Sequence, residues 1–316
     1  MIREETDDPP AVLDFDVVIV AVGYERRCRW VTNAHDVSAK RGLGLEFGFL
    51  AEGSYADNRT FFERRSYQIV SGVSETTPNV IAHAVELVAT DDEFARVLVD
   101  ISSMSREMIA NVAIGLERAR KLRGITLTIA YAPSKFTGPY RPAPIRRASP
   151  IKPSLAGWSS QPEQPLGAIF GLGCEPGLAL GALQFLEPNN AWIFRPKGID
   201  PDFDAAMMKA NEHIGDIFDI TDFGYEINKP TITRGRLEAL LNAVENNFRV
   251  VIVPFGPKIF AWLAISTIVF SNRHTVGVWT FSSKEQAVPV DRDADNQVIW
   301  HNFKLTKYIT DTKSRF

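Results

Sequence analysis

Val17-Val18-Ile19-Val20-Ala21-Val22, followed by Gly23-Tyr24-Glu25, returns 150 residues later as Ala168-Ile169-Phe170-Gly171-Leu172, followed by Gly173-Cys174-Glu175. Glycine and glutamate recur in phase behind an apolar run. A second pair of segments repeats at a similar distance. Arg96-Val97-Leu98-Val99-Asp100 runs into Ile101-Ser102-Ser103-Met104-Ser105-Arg106, and Arg249-Val250-Val251-Ile252-Val253 runs into Pro254-Phe255-Gly256-Pro257-Lys258. So long a period means two duplicated domains, because a solenoid repeats every ~20–50 residues. Such a chain is a built-in pseudo-dimer, with two like surfaces between which a ligand can lie.

Around these runs the pattern alternates. Short Val- and Ile-rich stretches predict buried parallel strands at 17–22, 45–50, 67–70, 96–100 and 125–131 in the first half. The second half repeats them at 167–172, 191–195, 216–220, 249–253 and 275–281. Thr77-Pro78 is a helix start, with Thr77 as cap and proline in the first turn. Met108, Ile109, Val112, Ala113 and Leu116 share one face of a helix over 107–122. Further helices are predicted at 176–186, 202–213, 234–246 and 258–270. The fold class is therefore α/β: two tandem Rossmann-like domains with mostly parallel sheets, related by internal duplication. The divisions are 1–135 for the first domain, 136–165 for a linker, and 166–316 for the second domain with a C-terminal β-hairpin extension. The hairpin reading rests on Ala287-Val288-Pro289-Val290 and Val298-Ile299-Trp300 flanking an Asp-rich turn. The linker region carries Pro133, Pro139, Pro142, Pro144, Pro150, Pro153, Pro162 and Pro165, a density that predicts an extended, stiff connection without regular structure. No acidic residue occurs between Glu117 and Glu163, while Lys135, Arg141, Arg146, Arg147 and Lys152 do. The linker is either a solvated basic segment or an anion-binding strap.

Composition narrows the class. The 316 residues suit two domains, and 45% hydrophobic with 23% charged is ordinary for globular chains. A net charge of −3 gives no strong general nucleic-acid-binding signal, though a local basic site is compatible with it. Two cysteines, Cys28 and Cys174, make neither a disulfide framework nor a zinc site, and imply a reducing cytoplasmic setting. The acidic start MIREETDDPP is no signal peptide, and no apolar run reaches a membrane span's ~20 residues. His35, His83, His213, His274 and His301 show no ligand spacing and read as surface or capping residues, so no metal is expected. Phe260, Trp262, Phe270 and Trp279 read as core. No full G-x-G-x-x-G, Walker motif, G-x-S-x-G or H-E-x-x-H is present, and no cofactor is implied.

In an open parallel sheet, ligands sit at the carboxyl ends of the strands. Two loops per half answer to that position. After the first strand come Gly23, Glu25, Arg26 and Arg27 in one copy and Gly173 and Glu175 in the other. Glycine permits the tight turn. Glutamate accepts from a ribose or base, or simply favours a helix N-terminus. Arginine holds phosphate with its planar fork. After the fourth strand come Asp100, Ser102, Ser103, Ser105 and Arg106, matched by Gly256 and Lys258. Three hydroxyls at a helix start exceed what capping needs and make an anion loop. A nucleophilic role for Ser103 or Ser105 lacks an assigned base.

The pattern Asp100, Ser102, Ser105, Arg106 with Gly256 and Lys258 resembles the CRISPR-associated Rossmann-fold (CARF) domains, and two such units in one chain resemble the SAVED arrangement. Ser103-Met104 stands where those domains carry a Gly pair, and Phe255-Gly256-Pro257 lacks a hydroxyl. The resemblance implies a nucleotide sensor of antiviral defence that binds a cyclic oligonucleotide across the paired halves and acts with a separate protein effector. Two alternatives stand beside it. One is an enzyme acting on a nucleotide or phosphorylated sugar by ring cleavage or glycosyl transfer; the other is a structural subunit of a larger assembly.

Overall fold

The run at Val17–Val22 lies within β2 (Asp14–Val22), in which every residue after the first is buried, as a central parallel strand requires. The computed structural model describes residues 2–48, 52–88, 93–138, 140–142, 144–158, 161–282 and 290–307. In the first half, β1 (Ile2–Thr6) precedes β2, and a 3-10 turn at Arg26–Arg29 leads into α1 (Trp30–Ala34). There follow β3 (Ser38–Glu46), α2 (Tyr55–Glu63), β4 (Gln68–Ser71), α3 (Thr77–Glu86), β5 (Phe94–Asp100), α4 (Arg106–Ala119) and β6 (Gly124–Tyr131). β7 (Arg147–Pro150) and a 3-10 turn at Pro153–Leu155 form the connection. The second half holds β8 (Leu166–Gly171), α5 (Leu178–Leu186), β9 (Asn190–Lys197), α6 (Pro201–Ala210), α7 (Ile214–Ile217), β10 (Ile220–Glu226), α8 (Pro230–Val244), β11 (Arg249–Pro254), α9 (Lys258–Phe270) and β12 (Gly277–Ser282). β13 (Ile299–Leu305) ends the described chain.

Each half builds the same parallel core. The first sheet orders β4-β3-β2-β5-β6 and the second β10-β9-β8-β11-β12, so both read third, second, first, fourth, fifth. This is the doubly wound order, whose direction reverses between its first and fourth strands. The protein is thus α/β with two mostly parallel Rossmann-like sheets, and the positions that repeat in sequence are equivalent in topology.

Each sheet gains an antiparallel strand beyond its fifth. β7 pairs with β12, so the proline-rich connection contains a strand where none was expected. Its prolines sit at the end of that edge strand and beyond, where a missing N–H breaks no ladder. The C-terminal segment departs from the predicted extension of the second domain. β13 crosses back and lies between β6 and β1 in the first sheet. Residues 287–289, the expected first arm of a hairpin, lie outside the described residues. The strand expected at 216–220 instead spans Ile220–Glu226, because Ile214–Ile217 forms a helical turn. The α3 cap is Thr76, one residue before the expected Thr77, which instead donates its hydroxyl to Ser71 O (2.6 Å).

The two halves share a core. α9 is apolar almost all round and packs against α4, and one cluster joins Val97 and Val112 of the first half to Ile252 and Trp262 of the second. Polar seams reinforce this contact. Asp7 accepts from the N–H (3.0 Å) and the hydroxyl (2.6 Å) of Thr231 at the start of α8, and Glu5 of β1 accepts from Arg234 of the same helix. Glu5 also pairs with His301, which is fully buried rather than a surface or capping residue. Lys152 of the basic connection is buried and reaches Glu75 at 2.6 Å, so this lysine is an anchor and not a solvated charge. No helix among the described residues is long and apolar enough to cross a membrane.

Candidate functional site

The carboxyl ends of β2, β5, β8 and β11 face one another across the junction of the halves, and a cavity of about 400 Å³ lies between them. Two switch points that would each mark a crevice in a lone sheet here open into one space. Gly173 and Gly256 make this convergence possible. A Cβ at Gly173 would come within 2.8 Å of the Gly256 amide nitrogen. Gly256 has φ +70° and approaches the Leu172 carbonyl so closely that a side chain there has no room.

The first-strand loop turns Glu25 and Arg27 inward as a buried pair, with Arg27 Nε donating to Glu25 Oε2 at 2.6 Å. Arg27 Nη1 also donates to Ala132 O (3.2 Å), and Asn58 Nδ2 holds the turn by donating to Gly23 O (2.8 Å) and Glu25 O (2.9 Å). Burial opposes ionisation of Glu25, but Lys258, Arg27 and Arg292 outweigh it and hold the carboxyl below the usual range. Glu25 therefore serves as a counter-charge. Arg26 points away, to Asp291 (3.1 Å), and takes no part in the cavity.

The fourth-strand loops reach across the junction of the halves reciprocally. Arg106, which opens α4, donates from Nε to Pro254 O at 2.6 Å. Lys258, which opens α9, donates from Nζ to Ser102 O at 2.9 Å. Each cation thus crosses to the strand-end loop of the other half, and each acceptor is a neutral carbonyl that leaves the positive charge uncancelled. Burial first, then repulsion from Arg27, Arg106 and Arg292, pushes the Lys258 ammonium down to about 7. Burial likewise lowers Arg106, against the opposing pull of Glu175.

The three serines have separate tasks. Ser105 caps α4, its hydroxyl accepting from Met108 N–H (3.1 Å). Ser102 accepts from Ala132 N–H (2.8 Å), and Ser103 donates to Glu25 Oε2 (3.3 Å). Ser103 and Ser105 border the cavity, whereas Ser102 and Asp100 are buried beneath it. Asp100 accepts from Ser102 N–H (2.9 Å) through one oxygen, and its other oxygen has no partner. Burial raises its carboxyl to about 6, with Ser102, Arg27 and Lys258 opposing. The three hydroxyls thus brace the loop, and Ser103 and Ser105 also face the cavity beside the cations.

Gly23, Glu25, Arg27, Ser103, Ser105, Arg106, Glu175, Gly256 and Lys258 all border the cavity, as the strand-end argument expected; Arg26, Asp100 and Ser102 do not. The cavity also contains residues without a sequence signal. Arg292 lies in a strap whose carbonyl accepts from Arg27 N–H (3.2 Å) and whose guanidinium reaches Glu25 (3.4 Å). Tyr140 comes from the basic connection, and Asp200, Phe203 and Asp204 come from the start of α6. Cys174 is buried enough beside Glu175 and Asp204 that its thiol is pushed up to about 12, which makes it a poor nucleophile. No cluster of three or more His, Cys, Asp or Glu suited to a metal occurs among the described residues.

No protein-family model matches the chain, and no curated protein matches it. Among solved structures, a universal stress protein from Archaeoglobus fulgidus DSM 4304 is similar at 11% identity and a TM-score of 0.23, over 89% of this chain and 97% of that one. A similarity at that score supports no argument about this chain.

Proposed function

We propose that this protein binds a phosphate-bearing nucleotide in the cavity between its halves and passes that state to a separate effector. The observation that carries the reading is the gathering of Arg27, Arg106, Lys258 and Arg292, from both halves, where the central strands of two sheets end. Cations with spare donors in a partly desolvated crevice suit phosphate oxygens. The volume of about 400 Å³ is at the low end of the ~300–1,000 Å³ range of small-molecule sites. It favours a mononucleotide, or at most a small cyclic dinucleotide, over a larger cyclic oligonucleotide. Sensing in antiviral defence is the biological form of this proposal that follows from the CARF-like pattern at Asp100, Ser102 and Arg106.

The test is thermal unfolding of the full chain against mononucleotides, dinucleotides and cyclic oligonucleotides, because a ligand of the native state raises the midpoint by mass action. We expect a rise with one class and its loss in Arg106→Ala. No shift with any nucleotide overturns the proposal.

A second reading, catalysis on a nucleotide or phosphorylated sugar, draws on Lys258 at about 7 and Asp100 at about 6 in adjoining positions. Asp100 lies beneath the cavity wall, so Lys258 is the group placed to move a proton at a ligand. Incubation of the protein with each bound nucleotide, followed by chromatography, separates the readings. An unchanged ligand after many protein equivalents rules against catalysis.

A further inference from the structure

The cavity is electrically two-ended. Around Lys258 stand Arg27, Arg106 and Arg292, with Glu25 as the counter-charge to Lys258 and Arg27 at the cavity wall, Asp100 beneath it, and Glu175 close to Arg106. The opposite end belongs to the second half and to the end of the strap. There Glu175 and Asp204 lie beside Cys174, and Asp295 lies beside Asp200. These four carboxylates line the same space as the cations. Tyr140 lies within electrostatic reach of Arg292 and of Cys174 and Glu175. Its ring belongs to an aromatic set: Phe136 lies 6.2 Å from Tyr140 and meets Phe203 edge to face at 5.0 Å. Tyr140 and Phe203 both face the cavity.

We propose that the ligand carries its negative charge at one end only: a nucleoside monophosphate whose phosphate lies among Arg106, Lys258 and Arg292, and whose base and ribose lie against Tyr140, Phe203 and the carboxylates of Asp200 and Asp204. This inference rests on the reading of the cavity as a nucleotide site and deepens it. Sugar hydroxyls and base N–H groups are donors that carboxylates accept, while an aromatic face stacks on any base. A second phosphate at the acidic end meets like charge in a poorly solvated space and is rejected. The duplication supplies two equivalent loops, and the asymmetry between them sets the ligand's direction. Glu25 is balanced by Arg27, whereas the position equivalent to Arg27, 150 residues on, is Gly177. Glu175 therefore has no arginine in its own loop and faces only Arg106 of the other half.

Calorimetric titration of the full chain with inorganic phosphate, adenosine 5′-monophosphate, adenosine 3′,5′-bisphosphate and cyclic di-adenosine monophosphate tests this. The wild type is expected to bind the 5′-monophosphate at least about tenfold more tightly than the bisphosphate, the effect of one like-charge contact at low dielectric. In Asp200→Asn/Asp204→Asn that ratio should fall to about threefold or less through tighter bisphosphate binding. Asparagine keeps the side-chain oxygen that caps α6 at position 200 and the one that accepts from Gly198 N–H at position 204, and the single Asp204→Asn variant is the fallback if the double variant melts early. Tighter wild-type binding of the bisphosphate or cyclic dinucleotide overturns the one-ended ligand and leaves the nucleotide site standing. An unchanged ratio in a folded double variant also overturns it. Binding of inorganic phosphate alone, or of nothing, overturns both this inference and the nucleotide reading.

Discussion

On the proposed reading, Lys258 is where ligand binding and proton uptake meet. Burial and three neighbouring arginines bring its ammonium to about 7 in the free protein, against an ordinary value of ~10.4. At pH 6 about nine molecules in ten then carry the charge, and at pH 8 about one in ten. If the charged form holds the anion, affinity falls about tenfold between those pH values, or ~1.4 kcal/mol. The probe must not titrate over the same interval, so a phosphodiester such as adenosine 3′,5′-cyclic monophosphate, with one fixed charge, is the right ligand. Calorimetry at pH 8 in buffers of different ionisation enthalpy should also record uptake of about 0.9 proton per ligand bound. Lys258→Met should bind more weakly and show neither the slope nor the uptake. The stability of the free protein gives the converse sign. The folded value lies below the unfolded one, so the unfolded chain binds more protons between ~7 and ~10.4, and stability rises with pH across that window. The buried charge costs most below pH 7, where Lys258→Met should be more stable than the wild type by on the order of 1–4 kcal/mol. Wild-type affinity that stays flat from pH 6 to 8 without proton uptake, or an equal slope in Lys258→Met, refutes the assignment.

Other expectations test the scaffold. Glu25→Gln leaves Arg27 buried without its counter-charge and should cost about 3–5 kcal/mol in urea unfolding. Because the Glu25 carboxyl is held below its ordinary range, its stabilising effect is present at neutral pH and is lost as pH falls through the lowered value. Asp100 shows the opposite sign. Raised to about 6, it favours the folded state below ~3.9 and loses up to ~3 kcal/mol by pH 6, a fall that Asp100→Asn should abolish. Gly256→Ala forces a side chain into the Leu172 carbonyl at positive φ and should destabilise by at least ~2 kcal/mol, with loss of ligand binding. Scanning calorimetry should give one transition for both halves, because a single core runs through them; two separated peaks would contradict that.

The parallel cores were readable because buried central strands must be apolar on both faces, and Val17–Val22 and Ala168–Leu172 are. The strand-end rule then located Glu25, Arg106, Glu175 and Lys258 without any motif, since position after a strand is itself the signal. Other features depend on partners far away in the chain. Val298-Ile299-Trp300 reads as a strand, but nothing local says that it pairs with β6 across the molecule. Arg147-Ala-Ser-Pro has little strand character, and β12 imposes it on an edge. Adjacent Arg26 and Arg27 are alike in sequence, yet the 3-10 turn buries one and exposes the other. Arg292 enters the cavity from a strap, and Tyr140 and Asp204 come from the segments after β6 and β9, strands away from the two switch points.

If the proposed ligand binds, the reciprocal crossing of Arg106 and Lys258 offers a route by which its arrival shifts the two halves. Each cation is bound to a carbonyl of the opposite half, so an arriving phosphate competes with bonds that hold the halves in register. A phosphate adds opposite charge to the same donors, which a neutral carbonyl does not, and this favours their transfer to the anion. The helices that carry them, α4 and α9, are the elements through which the halves share their core, and close-packed interiors pass on displacement instead of absorbing it. A ligand that draws both helix starts toward itself therefore acts on the relative setting of two domains. Removal of one crossing, as in Arg106→Ala, should loosen the free protein and blunt any ligand-dependent change in hydrogen exchange of α9 as well as α4. Exchange that changes only in the helix nearest the ligand would show that the halves bind without communicating.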